Sequence, residues 1–171
     1  MKNATGSGNT LAWAPSGTTG YTTKFTDIQC TPSAGGTGAA ETATFTGYLD
    51  GSDNWAKVCA ADTSAAENAA TNYPAFNWVN TYATTYSLTG DYASGWYLPT
   101  VAELSMMYRE KATVNAALEK AGGTKIADTT YSSSSQSLSY NYLAWVVLFD
   151  DGILSIYNKS RRYSVCGVRA F

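Results

Sequence analysis

The chain has 171 residues, of which 13% are aromatic and only 14% charged. That length supports one sizeable hydrophobic core and leaves little for a second, and the composition excludes a disordered polyelectrolyte or a coiled coil. A net charge of -2 without a long Lys/Arg run argues against a nucleic-acid surface, whose affinity comes from neutralising phosphates.

Residues 1–20 are Gly, Ser, Thr and Asn around one apolar island, Leu11-Ala12-Trp13, and read as a linker or a short edge strand. Met1-Lys2 leads into small polar residues instead of an apolar signal core, so an export signal or lipid anchor is expected outside this chain. No stretch has the roughly 18 to 20 apolar residues of a membrane-spanning helix, and no membrane insertion by this segment is expected. Residues 21–171 are expected to form one domain. Residues 21–48 mix Thr, Phe and Ile with punctuation at Pro32 and Gly35-Gly36, which suggests short strands and an irregular loop, and Asp50-Gly51-Ser52-Asp53 reads as a turn.

A helix is expected to open at Pro74, with Phe76, Val79, Tyr82, Ala83 and Tyr86 at helical spacing and Thr89-Gly90 ending it. Next, Gly95-Trp96-Tyr97-Leu98-Pro99 leads into Thr100-Val101-Ala102-Glu103, a capping box opening a helix to about Glu110 with Leu104, Met107 and Tyr108 as its buried stripe. A third helix over 114–120 should stop at Gly122-Gly123. The Ser/Tyr stretch 131–142 shows neither strand alternation nor a helical stripe and reads as a loop. Two strands come next, 144–149 and 153–157, around Asp151-Gly152, a type I′ turn signal. A last strand over 165–171 completes an antiparallel sheet.

Catalysis has little support. The chain has no His, no G-x-S-x-G elbow and no Gly-rich phosphate loop, so neither an enzyme nor a cofactor is expected. Three Cys without a CxxC pair, and the absence of His, remove the usual zinc arrangements, so no metal site is expected. The spacing leaves a Cys30–Cys59 disulfide open, with Cys166 odd. Asp150-Asp151 offers paired carboxylates or calcium ligands, but its place on a hairpin favours turn residues.

Recognition is better supported. Ser, Tyr and Asn concentrate in 131–143, and these are the residue types of adaptable binding loops; the same composition also describes a solvated, mobile linker. In the hairpin, Trp145, Val147 and Phe149 share one face and Ala144, Val146 and Leu148 the other. Either Val146 and Leu148 stand on a surface beside the loop, or the sheet is buried on both faces.

Gly95-Trp96-Tyr97-Leu98-Pro99-Thr100 with Glu103-Leu104, then Tyr131, Ser133 through Gln136, Ala144-Trp145, Phe149, Gly152, Lys159 and Val168-Arg169-Ala170-Phe171 resemble the DUF1566 (Lcl C-terminal) family over about residues 50–171. The resemblance implies an α+β, C-type-lectin-like fold of the formylglycine-generating-enzyme branch, with short helices around a small twisted antiparallel sheet. It also implies an extracellular or cell-surface location, lipid-anchored in the full-length protein. Some such proteins are variable proteins of diversity-generating retroelements, in which adenine-containing codons near the 3′ end are rewritten. By that resemblance the ligand-facing region is 131–171. The varied, ligand-binding positions are Ser137, Leu138, Ser139, Tyr140, Asn141, Tyr142, Leu143, Val146, Leu148, Asp150, Leu154, Ser155, Tyr157, Arg161 and Arg162, with Trp145 and Phe149 beneath.

The implied partner is a protein or other macromolecule on another cell, phage or host. The alternatives are an undiversified adhesin binding polysaccharide or glycosaminoglycan through Lys159, Arg161, Arg162 and the tyrosines, or a purely structural domain of a surface lipoprotein. Two departures stand out. Ser132 replaces a usual Trp, which should loosen the loop's anchor, and Cys166-Gly167 precedes Val168, introducing a thiol of open reactivity. The paired cysteines of the enzyme branch and the calcium-site tripeptides of sugar-binding lectins have no match here.

Overall fold

Frequent Gly and Asn keep the elements short. The computed structural model describes residues 10–169; the linker residues before Thr10 and the family-like Ala170-Phe171 lie outside the described residues. The first part of the chain forms β1 (Leu11–Ala12), α1 (Thr19–Thr22), β2 (Cys30–Pro32), α2 (Ala39–Thr42), β3 (Phe45–Gly47) and α3 (Asn54–Ala61). Helices α4 (Ala69–Asn72), α5 (Pro74–Asn80) and α6 (Tyr82–Thr85) lead through a 3-10 turn at Gly90–Ala93 to β4 (Trp96–Tyr97), α7 (Val101–Arg109) and α8 (Lys111–Lys120). The rest is strand: β5 (Thr130–Gln136), β6 (Leu143–Leu148), β7 (Leu154–Asn158), β8 (Arg162–Tyr163) and β9 (Val168–Arg169).

Within the described residues the strands make a β5-β6-β7 antiparallel sheet and three two-stranded ladders, β1-β8, β2-β3 and β4-β9. The chain is thus a mixed helix-and-strand fold of small antiparallel sheets and short helices. The Leu11-Ala12-Trp13 island is an edge strand that delivers Trp13, 1% exposed, to the core. The last strand pairs with β4 instead of joining the hairpin sheet.

Two cores flank the hairpin. Trp13, Phe25, Tyr73 and Phe76 build the first, with Trp13 edge-on to Phe76 at 5.0 Å, and Ala144 of β6 belongs to it. Tyr131, Phe149, Leu104, Val147 and Leu154 build the second. Ala144 and Val147 lie on opposite faces of β6, so the sheet is buried on both sides. That settles the alternation in favour of two covered faces: Val146 is only 3% exposed and does not stand on a surface.

The largest correction concerns the serine run. Residues 130–136 are a buried strand, not a loop, because every serine from 133 to 135 finds a fixed partner. Ser133 Oγ donates to Trp145 O (2.8 Å), Ser134 Oγ accepts from Asn54 Nδ2 (2.8 Å), and Ser135 Oγ accepts from Val101 N (3.0 Å). Beyond β5, Ser132 N donates to Ser164 O and Ser164 N to Thr130 O, so both edges of the strand are bonded. Ser132 pairs with Val146 and Gln136 with Ala144, so four steps along β5 match two along β6. This bulge turns the intervening serines toward α3 and α7. Ser132 therefore does not loosen the segment.

Two smaller corrections have local chemical causes. The long helix breaks at Thr81, whose hydroxyl bonds back to Asn77 O (2.8 Å), and its second part ends at Thr85, with Ser87 closing it before Thr89-Gly90. The hairpin turn is not type I′. Gly152 has φ +68° but Asp151 is not left-handed, and Leu148 is bonded to both Gly152 and Ile153 across a four-residue loop. Phe149 is drawn out of the strand into the second core, 4.8 Å from the Tyr131 ring, and a Cβ on Gly152 would sit 2.9 Å from Tyr108. Finally, all three cysteines are free; Cys30 lies in the second core while Cys59, on α3, packs against the first.

The capping box is present as expected. Thr100 Oγ1 accepts from Glu103 N (3.1 Å), and Glu103 Oε2 accepts from Thr100 N (2.8 Å) and Gly51 N (3.2 Å). Thr100 Oγ1 also donates to Leu49 O (2.7 Å), tying the 50s turn to the start of α7. Thr100→Ala should therefore cost about 1 to 2 kcal/mol in urea unfolding; a loss of only a few tenths would show the box to be incidental.

Candidate recognition surface

Gln136 closes the polar strand and fixes the connection to β6. Its Oε1 accepts from Phe25 N (2.5 Å) and its Nε2 donates to Asn141 O (2.7 Å) and Thr23 O (3.2 Å). Ser137 N reaches Leu143 O (3.0 Å), Lys159 N reaches Tyr142 O (2.9 Å), and Asn141 Nδ2 donates to Thr22 O (2.6 Å). The β5–β6 connection is therefore a tight, hydrogen-bonded loop.

From this platform the side chains point outward. Leu138 is 56% exposed, Tyr140 49% and Tyr142 38%. The Tyr140 and Tyr142 rings lie 5.7 Å apart, and Tyr142 lies 6.4 Å from Tyr21, whose hydroxyl donates to Asn158 Oδ1 (2.5 Å). Three tyrosines thus form a row. Tyr21 belongs to α1 and no local pattern marks it; only the fold brings it there.

The other anticipated positions divide. Ser139 is exposed and Asn141 and Leu143 half-buried, in the same loop. Tyr157 stacks 5.6 Å from Tyr163, with the Arg161 guanidinium 5.3 Å from its ring, and Arg161 and Arg162 are exposed. This second group shares the β7 face of Ser155, opposite to Asn158. Leu148, half-buried, and Asp150, exposed, sit at the far end of β6, about 16 Å along the strand from Leu143. Ser137, Val146 and Leu154 are at most 3% exposed and have almost no surface to offer a ligand. Asp151 is a turn residue, its Oδ1 accepting from Ile153 N (3.2 Å).

Lys159 is corrected from surface cation to buried pin. It is 1% exposed; its Nζ donates to Gly20 O (2.8 Å) and Thr23 O (3.2 Å) and lies 4.3 Å from the Trp13 ring centre and 4.9 Å from that of Phe25. It cannot meet a polyanion, and it locks the 20–23 segment that carries Tyr21 and the acceptor for Asn141. Cys166 is likewise inert: 2% exposed, its thiol is pushed up to about 12 by burial.

Comparison with known proteins finds no matching family model, no similar curated protein and no similar solved structure. The surface is defined by its own geometry: one rigid aromatic row, with a Tyr/Arg group on another face.

Burial lowers the Lys159 ammonium to about 7, from an ordinary value of 10.5. Between those values the unfolded chain holds a proton that the folded chain has released, so stability should rise with pH above 7. Cys30 and Cys166 are raised by burial to about 11 and about 12, so the stability they contribute is complete below the ordinary thiol range and is lost above it. Thermal unfolding should accordingly show greatest stability near pH 9, and in Lys159→Met the rise from pH 7 should vanish. An unchanged rise in that variant would assign it to another group.

Proposed function

We propose that this chain is a non-catalytic ligand-recognition domain of C-type-lectin-like architecture, displayed outside the cell. Its binding surface centres on Leu138, Tyr140 and Tyr142, flanked by Tyr21. One observation carries the reading: three large apolar or aromatic side chains stand exposed on a loop whose backbone is pinned from beneath by Gln136, Asn141 and the Lys159 amide. Exposing such groups on a rigid support costs solubility and gives the fold little beyond the contacts among the rings themselves. It suits a binding face, where pre-ordered tyrosines offer wide contact at little entropic cost.

The partner class is a protein or other macromolecule on another cell, phage or host. Leu138, Ser139, Tyr140 and Tyr142 depend on scaffold residues such as Gln136, Asn141 and Lys159 for their position, while their own side chains are exposed. Such a face tolerates change. That separation supports a surface diversified by a retroelement, and the lectin-like fold is supported by small antiparallel sheets wrapped in short helices.

Two experiments test this. Tyr140→Ala combined with Tyr142→Ala should shift unfolding stability by no more than about 1 kcal/mol while abolishing attachment of cells displaying the domain; a stability collapse would make the rings structural. Sequencing the gene's downstream flank should reveal a near-copy of the 137–171 codons differing only at adenines, beside a reverse-transcriptase gene. A flank without that copy would reduce the reading to an undiversified binding domain.

A further inference from the structure

A concave site lies apart from the tyrosine row, where the α6-to-β4 connection meets the end of α8. The cleft measures about 580 Å³, a size suited to one small ligand, and is lined by Tyr82, Tyr92 and Trp96 with Ser87, Thr89 and Leu118. Its aromatic wall is pre-arranged. Trp96 Nε1 donates to Tyr92 O (2.9 Å), and the buried Tyr82 ring packs 4.7 Å from Trp96, while Tyr92 itself is 52% exposed.

Ser87 supplies an independent observation. Helices α6 and α8 both end in a Schellman motif. In α8 the left-handed position is Gly122, with Gly123 N bonded to Leu118 O (2.7 Å); in α6 it is Ser87, with Leu88 N bonded to Ala83 O (2.8 Å). Ser87, at φ 51°, is the one non-glycine residue with positive φ among the described residues. Glycine would close this helix at lower cost, so the serine keeps a hydroxyl at the cleft against a backbone preference.

We propose that this cleft binds a neutral pyranose unit of a saccharide. A pyranose presents an apolar face of C–H groups, which stacks on an aromatic ring, and an edge of hydroxyls that Ser87 and Thr89 can meet. A quaternary ammonium, the other usual occupant of aromatic sites, is disfavoured because the Arg169 guanidinium already lies 5.7 Å from the Tyr92 ring centre. None of these residues belongs to the 137–143 loop, so the site stands or falls independently of the proposed recognition face.

Saturation-transfer NMR on the full chain, with methyl β-glucopyranoside and methyl β-galactopyranoside as probes and choline as the cationic control, tests the assignment. At least one glycoside should show transfer concentrated on its C–H face. Tyr92→Ala should weaken that binding about tenfold, with melting lowered only slightly, by loss of the exposed Arg169 contact. Ser87→Gly should raise stability yet weaken the sugar, a pairing that a purely structural serine would not give, and Tyr140→Ala should leave sugar binding intact. The proposal is overturned if neither glycoside shows transfer, if choline binds in preference, or if Tyr92→Ala binds the glycosides as the parent chain does.

Discussion

The polar groups of residues 132–136 are sealed from water, and the fold is arranged to satisfy them. A buried hydroxyl or amide left without a partner costs about 1 to 3 kcal/mol, so a strand made of serines and a glutamine is stable only if distant segments supply matching groups at once. Here they do: Asn54 from α3, Val101 at the start of α7, Phe25 from the segment after α1, and the carbonyl of Trp145 next door. An apolar strand in this position would tolerate sliding. A polar one accepts a single register, because each step of slip would orphan several buried groups.

That constraint reaches the surface through two residues. Gln136 and Lys159 both bond the carbonyl of Thr23, one from the end of β5 and one from beyond β7. Together they hold the 20–23 segment against the β5–β6 connection, which brings Tyr21 beside Tyr142. The exposed aromatic row is thus the outer end of a buried polar network. Rigidity beneath and free side chains above are the combination that allows contact residues to change while the scaffold stays the same.

The helices from Pro74 onward were legible in the sequence, because caps and turns are local, whereas α1 to α4 were not, since none carries a side-chain cap. Thr100 and Glu103 declare the α7 start within four residues, Gly122 declares the α8 end, and Pro74 opens α5 as expected. The serine strand was illegible for the opposite reason. Pattern reading treats serine as a solvent-facing residue, and its partners lie up to 80 residues away in the chain. Lys159 misled in the same way, since a lysine is ordinarily exposed and only tertiary structure places two carbonyls and two rings around it. Of the candidate surface, Leu138, Tyr140 and Tyr142 could be anticipated from composition, whereas the burial of Val146 and Leu154 depends on both hairpin faces being covered, which alternation alone leaves open.

Amide hydrogen exchange reads whether residues 132–136 are a fixed polar strand. The Ser132, Ser134 and Gln136 amides, bonded to Ser164 O, Pro99 O and Ile28 O, should exchange only as slowly as the whole domain unfolds. Exchange of these amides on the timescale of exposed loop positions such as Ser139 would mean that the strand is not fixed, and would return the segment to a mobile serine-rich linker.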